Sequence, residues 1–397
     1  MKPLREIVIL SLEQATVLPY LTYRLAHDGM RVIRLEHPVH ADPIRKVGDP
    51  FLPGENDMRS YFVAINAGKE ALTINLKDPK GQELFRNLLV KLDVDVFATN
   101  QLPKNYEPLG IAYDLLKDVK PDLIWLGLTG FGPDSNEAAY DPILQARGGL
   151  MELTGEAERS PQIVGIPLPD MGTSEHAYGL VMRALYERVV TGKGSRIDLS
   201  MMDSTVSWLT QPITMAKTFG KKMKRHGNTH EFFSPVNVYP TRDGYVFMAV
   251  GNDIQWQRLV KTKGFEGIEA EAYVTNAGRV ANVDELNEKI SAVTCNWDTE
   301  ELLAVLREGL IPVAKVQTVT EVCEDVAVRD KFLSSTDPVS GMSITHAPPP
   351  FMTPYLKENG RKLSFPPRLG EHNQKIYGDV LGISNEDLNQ LKTRGVI

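Results

Sequence analysis

Cysteine is almost absent. The two in 397 residues, Cys295 and Cys323, stand far apart and outside any Cys-x-x-Cys spacing. That excludes a disulfide framework and a thiolate zinc site, and it fits a reducing, cytoplasmic location. No window approaches 18 consecutive apolar residues, so no membrane span is expected. An extended basic run is missing too. Lys and Arg number 44 against 51 Asp and Glu, a net charge of −7, which leaves no electrostatic footprint for a phosphate backbone and excludes nucleic acid as a partner. The start, "MKPLREIVILSLEQ", turns acidic after one short apolar run and has no small-residue cleavage site. It reads as a first strand rather than a signal peptide.

Glycine is missing where one cofactor class needs it. The turn after the first strand, "EQATVLPY", has none, so the pyrophosphate fingerprint of a nicotinamide or flavin enzyme is absent. Histidines are few, and His226 and His230 are separated by Gly-Asn-Thr, which breaks the helix that an i, i+4 metal pair requires. No metal site is expected. Ser174 and His176 lie close in "TSEH", but no Gly-x-Ser-x-Gly elbow surrounds the serine.

What is present is alternation. Short apolar runs at 6–12, 31–36, 71–76, 94–100 and 123–130 are separated by helix-patterned segments such as "PKGQELFRNLLVKL" at 79–92. Val- and Leu-rich strands alternating with helices read as βαβ units, hence an α/β fold with a Rossmann-like parallel sheet covered on both faces. A strand "RIDLSM" follows, then a helix from Met202 interrupted at Pro212. The expected division is a large domain over 1–200, a linker over 201–238 and a smaller α/β domain over 239–325 with strand "GYVFMAV". A proline-rich strap over 326–397 returns to the large domain.

One carboxylate stands out in this frame. In "GIPLPDMGTSEHAYG", Asp170 follows two prolines and precedes Gly172, beyond which Ala177, Leu180, Val181, Ala184 and Leu185 mark a one-faced helix. The common use of an aspartate just ahead of a helix is an N-cap. The alternative is a nucleophile, held ionised by the helix dipole and able to attack an activated carbonyl.

Five segments in order decide which family to compare: "YFVAINAGKEALTINLKDPKG", "YDPILQARGGLMELTG", "GIPLPDMGTSEHAYGLVMRALYERVVTGKGSRIDLSMMDS", "GYVFMAVGND" and "PPRLGEHNQKIYGDVLGIS". Together they resemble the class III coenzyme A transferases, the formyl-CoA and carnitine-CoA transferase family, nearly end to end. The resemblance implies that Asp170 is the nucleophile. Its carboxylate attacks a donor thioester to give an aspartyl-acyl anhydride and CoA thiolate, and the thiolate then converts the anhydride into an aspartyl-CoA thioester. The incoming acid runs both steps in reverse. Acyl-CoA and a carboxylic acid are the implied partners, succinyl-CoA foremost among donors, with no permanently bound cofactor.

Lys69 matches the basic position near the CoA phosphates and Asn100 the position near the nucleotide. Tyr140, which opens the second segment, belongs to the same set. His37 stands where formyl-CoA transferases have an arginine, and Gln101 and Pro108 replace their phenylalanine and arginine, with Arg34 and Arg45 as compensating cations. The family's run of glycines over the active site is absent between Arg225 and Asp243. A bulkier, succinate-type acid is therefore expected, its second carboxylate pairing with Arg225, His226 or His230. The resemblance also implies an interlocked homodimer, with a paralogous partner as the alternative. The competing functions are an α-methylacyl-CoA racemase, which needs an Asp and a His as paired bases, and a non-catalytic subunit of a hetero-oligomer.

Overall fold

The computed structural model describes residues 2–397. Its central sheet has six parallel strands: β1 (Val8–Leu12), β2 (Arg31–Glu36), β3 (Lys69–Thr73), β4 (Val96–Thr99), β5 (Ile124–Thr129) and β6 (Ser195–Ser200). They lie in the order β3-β2-β1-β4-β5-β6. This is the doubly wound Rossmann order, whose direction of winding reverses between β1 and β4. Strands β1, β4 and β5 are buried almost throughout, as near-continuous apolar runs must be when helices cover both faces. β6 closes one edge, and its alternating exposure with Arg196 bonded to Asp198 keeps that edge polar.

Neighbouring strand residues feed opposite cores. Leu10, Ile33, Phe97 and Trp125 pack with Leu84, Phe85, Leu88 and Leu89 of the Pro79–Lys91 helix, and the C-terminal Tyr377, Leu388 and Ile397 complete that face. Ile9, Val32, Val96, Ile124 and Leu126 pack on the other face with the Val17–Ala26 and Leu168–Thr191 helices. Asp78 caps the Pro79–Lys91 helix by accepting from the Lys80 amide at 2.8 Å, with proline in its first turn.

The chain divides into two compact units. The larger comprises residues up to Gly148, Gly165–Ile213 and Asp330–Ile397. The smaller comprises Gly149–Val164 and Thr214–Arg329, which takes in a short stretch just ahead of the Asp170 helix and residues 214–238, read from the sequence as linker. Within the smaller unit β7 (Val236–Pro240), β8 (Tyr245–Ala249) and β9 (Val313–Lys315) form an antiparallel sheet. It packs on helices that supply Trp256, Leu286, Ile290, Leu302 and Leu306. The chain turns at Trp208 between helices Met201–Ser207 and Thr210–Thr218. Pro212 therefore sits in the first turn of the second helix, where a missing N–H costs nothing, and does not interrupt a single long one.

Beneath the ends of β1, β2 and β3 lies a knot of six buried charges. Lys69 Nζ bonds Glu13 at 2.9 Å, Arg34 bonds Asp42 at 3.0 Å and Arg45 bonds Glu36 at 2.6 Å. All six residues are at most 5% exposed, and three cations balance three anions. Desolvation holds the Lys69 ammonium down to about 8 against the pull of Glu13. Removing one member leaves an uncompensated charge inside. Lys69→Met is expected to cost about 3–5 kcal/mol, read as a lower urea midpoint at pH 7. An unchanged midpoint would show that the knot is not holding the strand ends.

Candidate active site

Asp170 is the third residue of the Leu168–Thr191 helix, not the residue ahead of it. Pro169 can occupy the first turn because that turn has no intrahelical use for its N–H, and this moves the helix start upstream of the position the glycine suggested. Asp170 is therefore no N-cap; Pro167 stands there and makes no side-chain cap bond. The backbone donors of this turn are engaged. The Asp170 amide donates to Asp141 Oδ2 at 3.1 Å, and the Met171 amide to the Pro167 carbonyl at 3.0 Å. Free N–H groups at the helix start, an attractive source of oxyanion stabilisation, are thus already spent.

Asp141 opens its own short helix, Asp141–Arg147, and is buried, bonded to Gln145 Nε2 at 2.6 Å. Its charge faces the half-buried Asp170. Burial first, and Asp141 second, push the Asp170 carboxyl up to about 7. The dipole was expected to keep this acid ionised; desolvation and a like charge outweigh it. Ser174, one turn on, is fully buried and shares its hydroxyl between the carbonyls of Asp170 (2.7 Å) and Val17 (2.5 Å). That bond ties the Asp170 turn to the start of the helix that follows the β1 loop.

His176 does not face Asp170 as a second base. Its Nε2 accepts from the Trp208 indole at 2.9 Å, and its Nδ1 lies 2.7 Å from Ser204 Oγ. The arrangement a racemase would need is not formed by this histidine.

The remaining candidates gather elsewhere in the larger unit. At the carboxyl ends of β1–β4, where the winding reverses, a cavity of about 580 Å³ is lined by Glu13, Gln14, His37, His40, Asp42, Asn75, Lys77, Gln101 and Asn105, with Pro108 and Leu109. This is where doubly wound sheets bind ligands, and the volume suits a small molecule. His37 is on its wall, fixed by accepting the Val39 and His40 amides through Nδ1 at 3.0 Å each. Asn100 stands beside the cavity, its amide pairing with both backbone groups of Gln14 at 3.2 and 2.8 Å.

The turn between β1 and its helix has no glycine, yet Ala15 takes φ 60°, the left-handed slot a glycine would fill, and its amide is held by Asp42 Oδ1 at 3.1 Å. Lys69, Arg34 and Arg45 lie behind this wall, in the buried knot. Their charged ends are committed to internal carboxylates and do not reach the cavity surface, contrary to the reading that had them meeting phosphates. Tyr140 is 72% exposed and next to Asp141, so it belongs to the Asp170 end rather than to the cavity. In the smaller unit Arg225 is not free for a substrate: it binds Glu152 at 2.8 Å and the carbonyls of Glu152, Glu156 and Arg159. His230 accepts the Phe232 amide at 3.1 Å. Among the described residues no cluster of three or more His, Cys, Asp or Glu is placed to hold a metal, and no helix is long and apolar enough to cross a membrane.

The sequence model of CoA-transferase family III matches residues 4–373. The chain belongs to that family. A succinyl-CoA:glutarate CoA-transferase of Mus musculus is 31% identical over all of this chain and 91% of its own length. A succinyl-CoA:mesaconate CoA-transferase of Haloarcula marismortui is 32% identical over 96% of this chain and 97% of its own. In structure the chain is similar to a CaiB/BaiF family protein from Brucella suis, with TM-score 0.83 and 30% identity over 96% of this chain and 99% of that one. This family III chain is thus a CoA-transferase, whose substrates are CoA thioesters and carboxylic acids.

Asp141 and Lys77 are not singled out by the sequence alone, although both lie in the segments that carry the resemblance. Asp141-Pro142 is a helix-start signal, but its approach to Asp170 spans 29 positions and is visible only in the fold. The raised carboxyl yields a stability test. Between about pH 4 and pH 7 the folded chain holds a proton at Asp170 that the unfolded chain releases, so this group's contribution to stability falls as pH rises to 7. Asp170→Asn is expected to stabilise the fold by about 1–3 kcal/mol at pH 8, with the gain shrinking toward pH 4. Urea titrations at the two pH values check this, and a gain independent of pH would refute it.

Proposed function

We propose that the enzyme moves CoA from succinyl-CoA to a dicarboxylic acid through covalent intermediates on Asp170. The observation that supports this best is a desolvated carboxyl beside a second buried carboxylate, with its pKa near 7: Asp170 is more basic than a surface aspartate, hence a better nucleophile, yet substantially ionised at neutral pH. In the ionised form it attacks the thioester carbonyl. The C–S bond breaks, CoA leaves as thiolate, and an aspartyl-acyl anhydride forms. The thiolate attacks the aspartyl carbonyl and succinate departs, leaving an aspartyl-CoA thioester. The acceptor carboxylate then attacks that carbonyl, releasing thiolate again, and the thiolate takes the new acyl group and restores the Asp170 carboxylate. No proton, hydride or metal enters the balance. Positioning and exclusion of water therefore carry the catalysis.

The nucleotide end of CoA is assigned to the cavity at the sheet reversal, with Lys77 as a cation for its phosphates, His37 and Asn75 on the wall, and Asn100 holding the Gln14 loop. Lys69, Arg34 and Arg45 act from behind by fixing Glu13, Glu36 and Asp42. The dicarboxylate acceptor follows the relatives named for glutarate and mesaconate.

Three measurements test this reading. Incubation with succinyl-CoA followed by hydroxylamine or borohydride trapping is expected to modify Asp170, detected by peptide mass spectrometry, and Asp170→Ala to lower turnover by at least about 10³-fold. Normal turnover in that variant would refute the nucleophile. Across a panel of acceptors, glutarate and other dicarboxylates are expected to exceed formate and oxalate in kcat/KM; proton exchange at the acyl α-carbon without CoA transfer would instead favour the racemase.

A further inference from the structure

Three of the eight histidines lie along one seam, where the proline-rich strap meets the Val17–Ala26 helix and the β3 edge of the sheet. The strap carries a hairpin, β10 (Leu333–Thr336) and β11 (Ser343–His346), and its Leu333, Leu356 and Leu363 pack on Tyr23 and Ala67. Thr353 Oγ1 donates to the His27 carbonyl at 2.5 Å, which fastens the strap to the end of that helix. His27 and His346 are both 2% exposed, with the Tyr23 ring 4.2 Å from the first and 6.1 Å from the second. Further along the strap, side chains pair the open edge of β3: the Ala71 amide donates to His372 Nδ1 at 3.2 Å and the Thr73 amide to Asn373 Oδ1 at 3.0 Å.

These rings have no place for a second proton. A guanidinium offers no acceptor, so His27 Nδ1, 3.2 Å from Arg24 Nη1, has to be the bare nitrogen. His372 Nδ1 faces a backbone N–H, which also only donates. A proton on either nitrogen sets donor against donor. His346 Nε2 meets the Ser335 hydroxyl at 2.7 Å, and the Ala64 carbonyl is the one group that favours a charge on that ring. The charged and titratable neighbours of His27 are Arg24 and His346, neither of which stabilises an imidazolium. Around His372 stand Glu70 and Glu371 against Lys375 and Arg31, two of each sign. Tyr23 Oη and His27 Nε2 are buried without a hydrogen-bond partner, so the seam holds no surplus of polar groups to solvate a cation.

We infer that the strap is held by an acid-labile latch: His27, His346 and His372 fasten it only as neutral imidazoles, and protons taken up by these rings release the β10–β11 hairpin and the β3 edge contacts. Burial, with Arg24 and His346 beside it, holds His27 down to about 3, and burial holds His346 down to about 4. Burial also lowers His372. Rings freed from the seam titrate near their ordinary value of about 6.5. The sign follows: the latch is complete above about pH 6.5, and as pH falls below that value the released state gains protons that the closed state does not bind. Each of His27 and His346 then weakens the latch by up to about tenfold per pH unit.

The test uses the full chain between pH 7.5 and pH 5.5. In the folded wild type the imidazole resonances of His27 and His346 are expected to keep their neutral positions throughout. From urea titrations, the unfolding constant of the wild type should rise over this interval by about tenfold more than that of His27→Gln, and by about tenfold more than that of His346→Gln. Asp170 acts with the opposite sign in the same range, but it is common to all these chains and drops out of the comparison. His372→Asn, which keeps an acceptor for the Ala71 amide and does not titrate, should also flatten the acid response. Hydrogen exchange, corrected for its intrinsic pH dependence, should quicken more on acidification in β10 and β11 than in β1 and β4. Titration of the His27 or His346 ring near 6.5 in the folded chain, equal pH dependence in the wild type and the glutamine variants, or exchange that quickens equally in hairpin and sheet would each overturn the latch.

Discussion

The hydrogen bond from the Asp170 amide to the Asp141 carboxylate is the contact on which the site depends. It brings the starts of two helices together, one from the β5 side of the sheet and one leading into β6, and so sets where the longer helix begins. The same contact brings two acids close in a dry corner, where both cannot be comfortably ionised. Asp141 has compensation, since it accepts bonds from Gln145 and from the Asp170 backbone. Burial raises both carboxyls, but the bonds to Asp141 pull its pKa back while nothing offsets the push on Asp170, which rises to about 7. The two acids differ in their surroundings, and that sets their pKa values apart.

A second constraint acts at the sheet reversal. Parallel strands all end on the same side, and the loops there must turn sharply without burying bare backbone polarity. This chain has no glycine for the β1 turn. Asp42 instead supplies the Ala15 amide with an acceptor, Asp42 is in turn held by Arg34, and Arg34 lies against Glu13 and Glu36. The knot is thus the means by which a glycine-free loop keeps its shape. It also explains why three cations that look available in the sequence are not: each is spent on an internal carboxylate.

Much of this architecture is legible from residues. The runs at 31–36 and 123–130 became β2 and β5 because short runs rich in Val, Ile and Leu suit a strand buried on both faces, with Arg34 tolerated inside β2 only because buried carboxylates pair it. The Thr299–Glu308 helix begins and ends where its periodicity does. Asp170 was visible as a lone acid between prolines and glycine, and the family resemblance gave it a role. What the one-dimensional pattern lacked was depth. Nothing in "NAGKEALT" distinguishes an exposed lysine from one at 2% exposure under a loop contributed by residues 13–16, because that loop is more than fifty positions away. Arg225 failed as a substrate cation for the same reason, its partners arriving from residues 152–159. Asp141 carries no signature in the sequence because two helix starts separated by 29 positions have no joint pattern.

The energetics of CoA exchange make these arrangements sensible. A thioester is converted into another thioester, so the overall driving force is small and no step needs a strong general acid or a redox partner. What must be avoided is water, because a thioester that meets it is lost to hydrolysis. A nucleophile in such a setting gains from burial twice, since desolvation both raises its basicity and excludes the competing nucleophile. The cost falls on stability: above pH 7 the fold has to hold a charge in a place that disfavours it, next to another. Ser174, tied to the backbone carbonyls of Asp170 and Val17, fixes the turn that carries that charge.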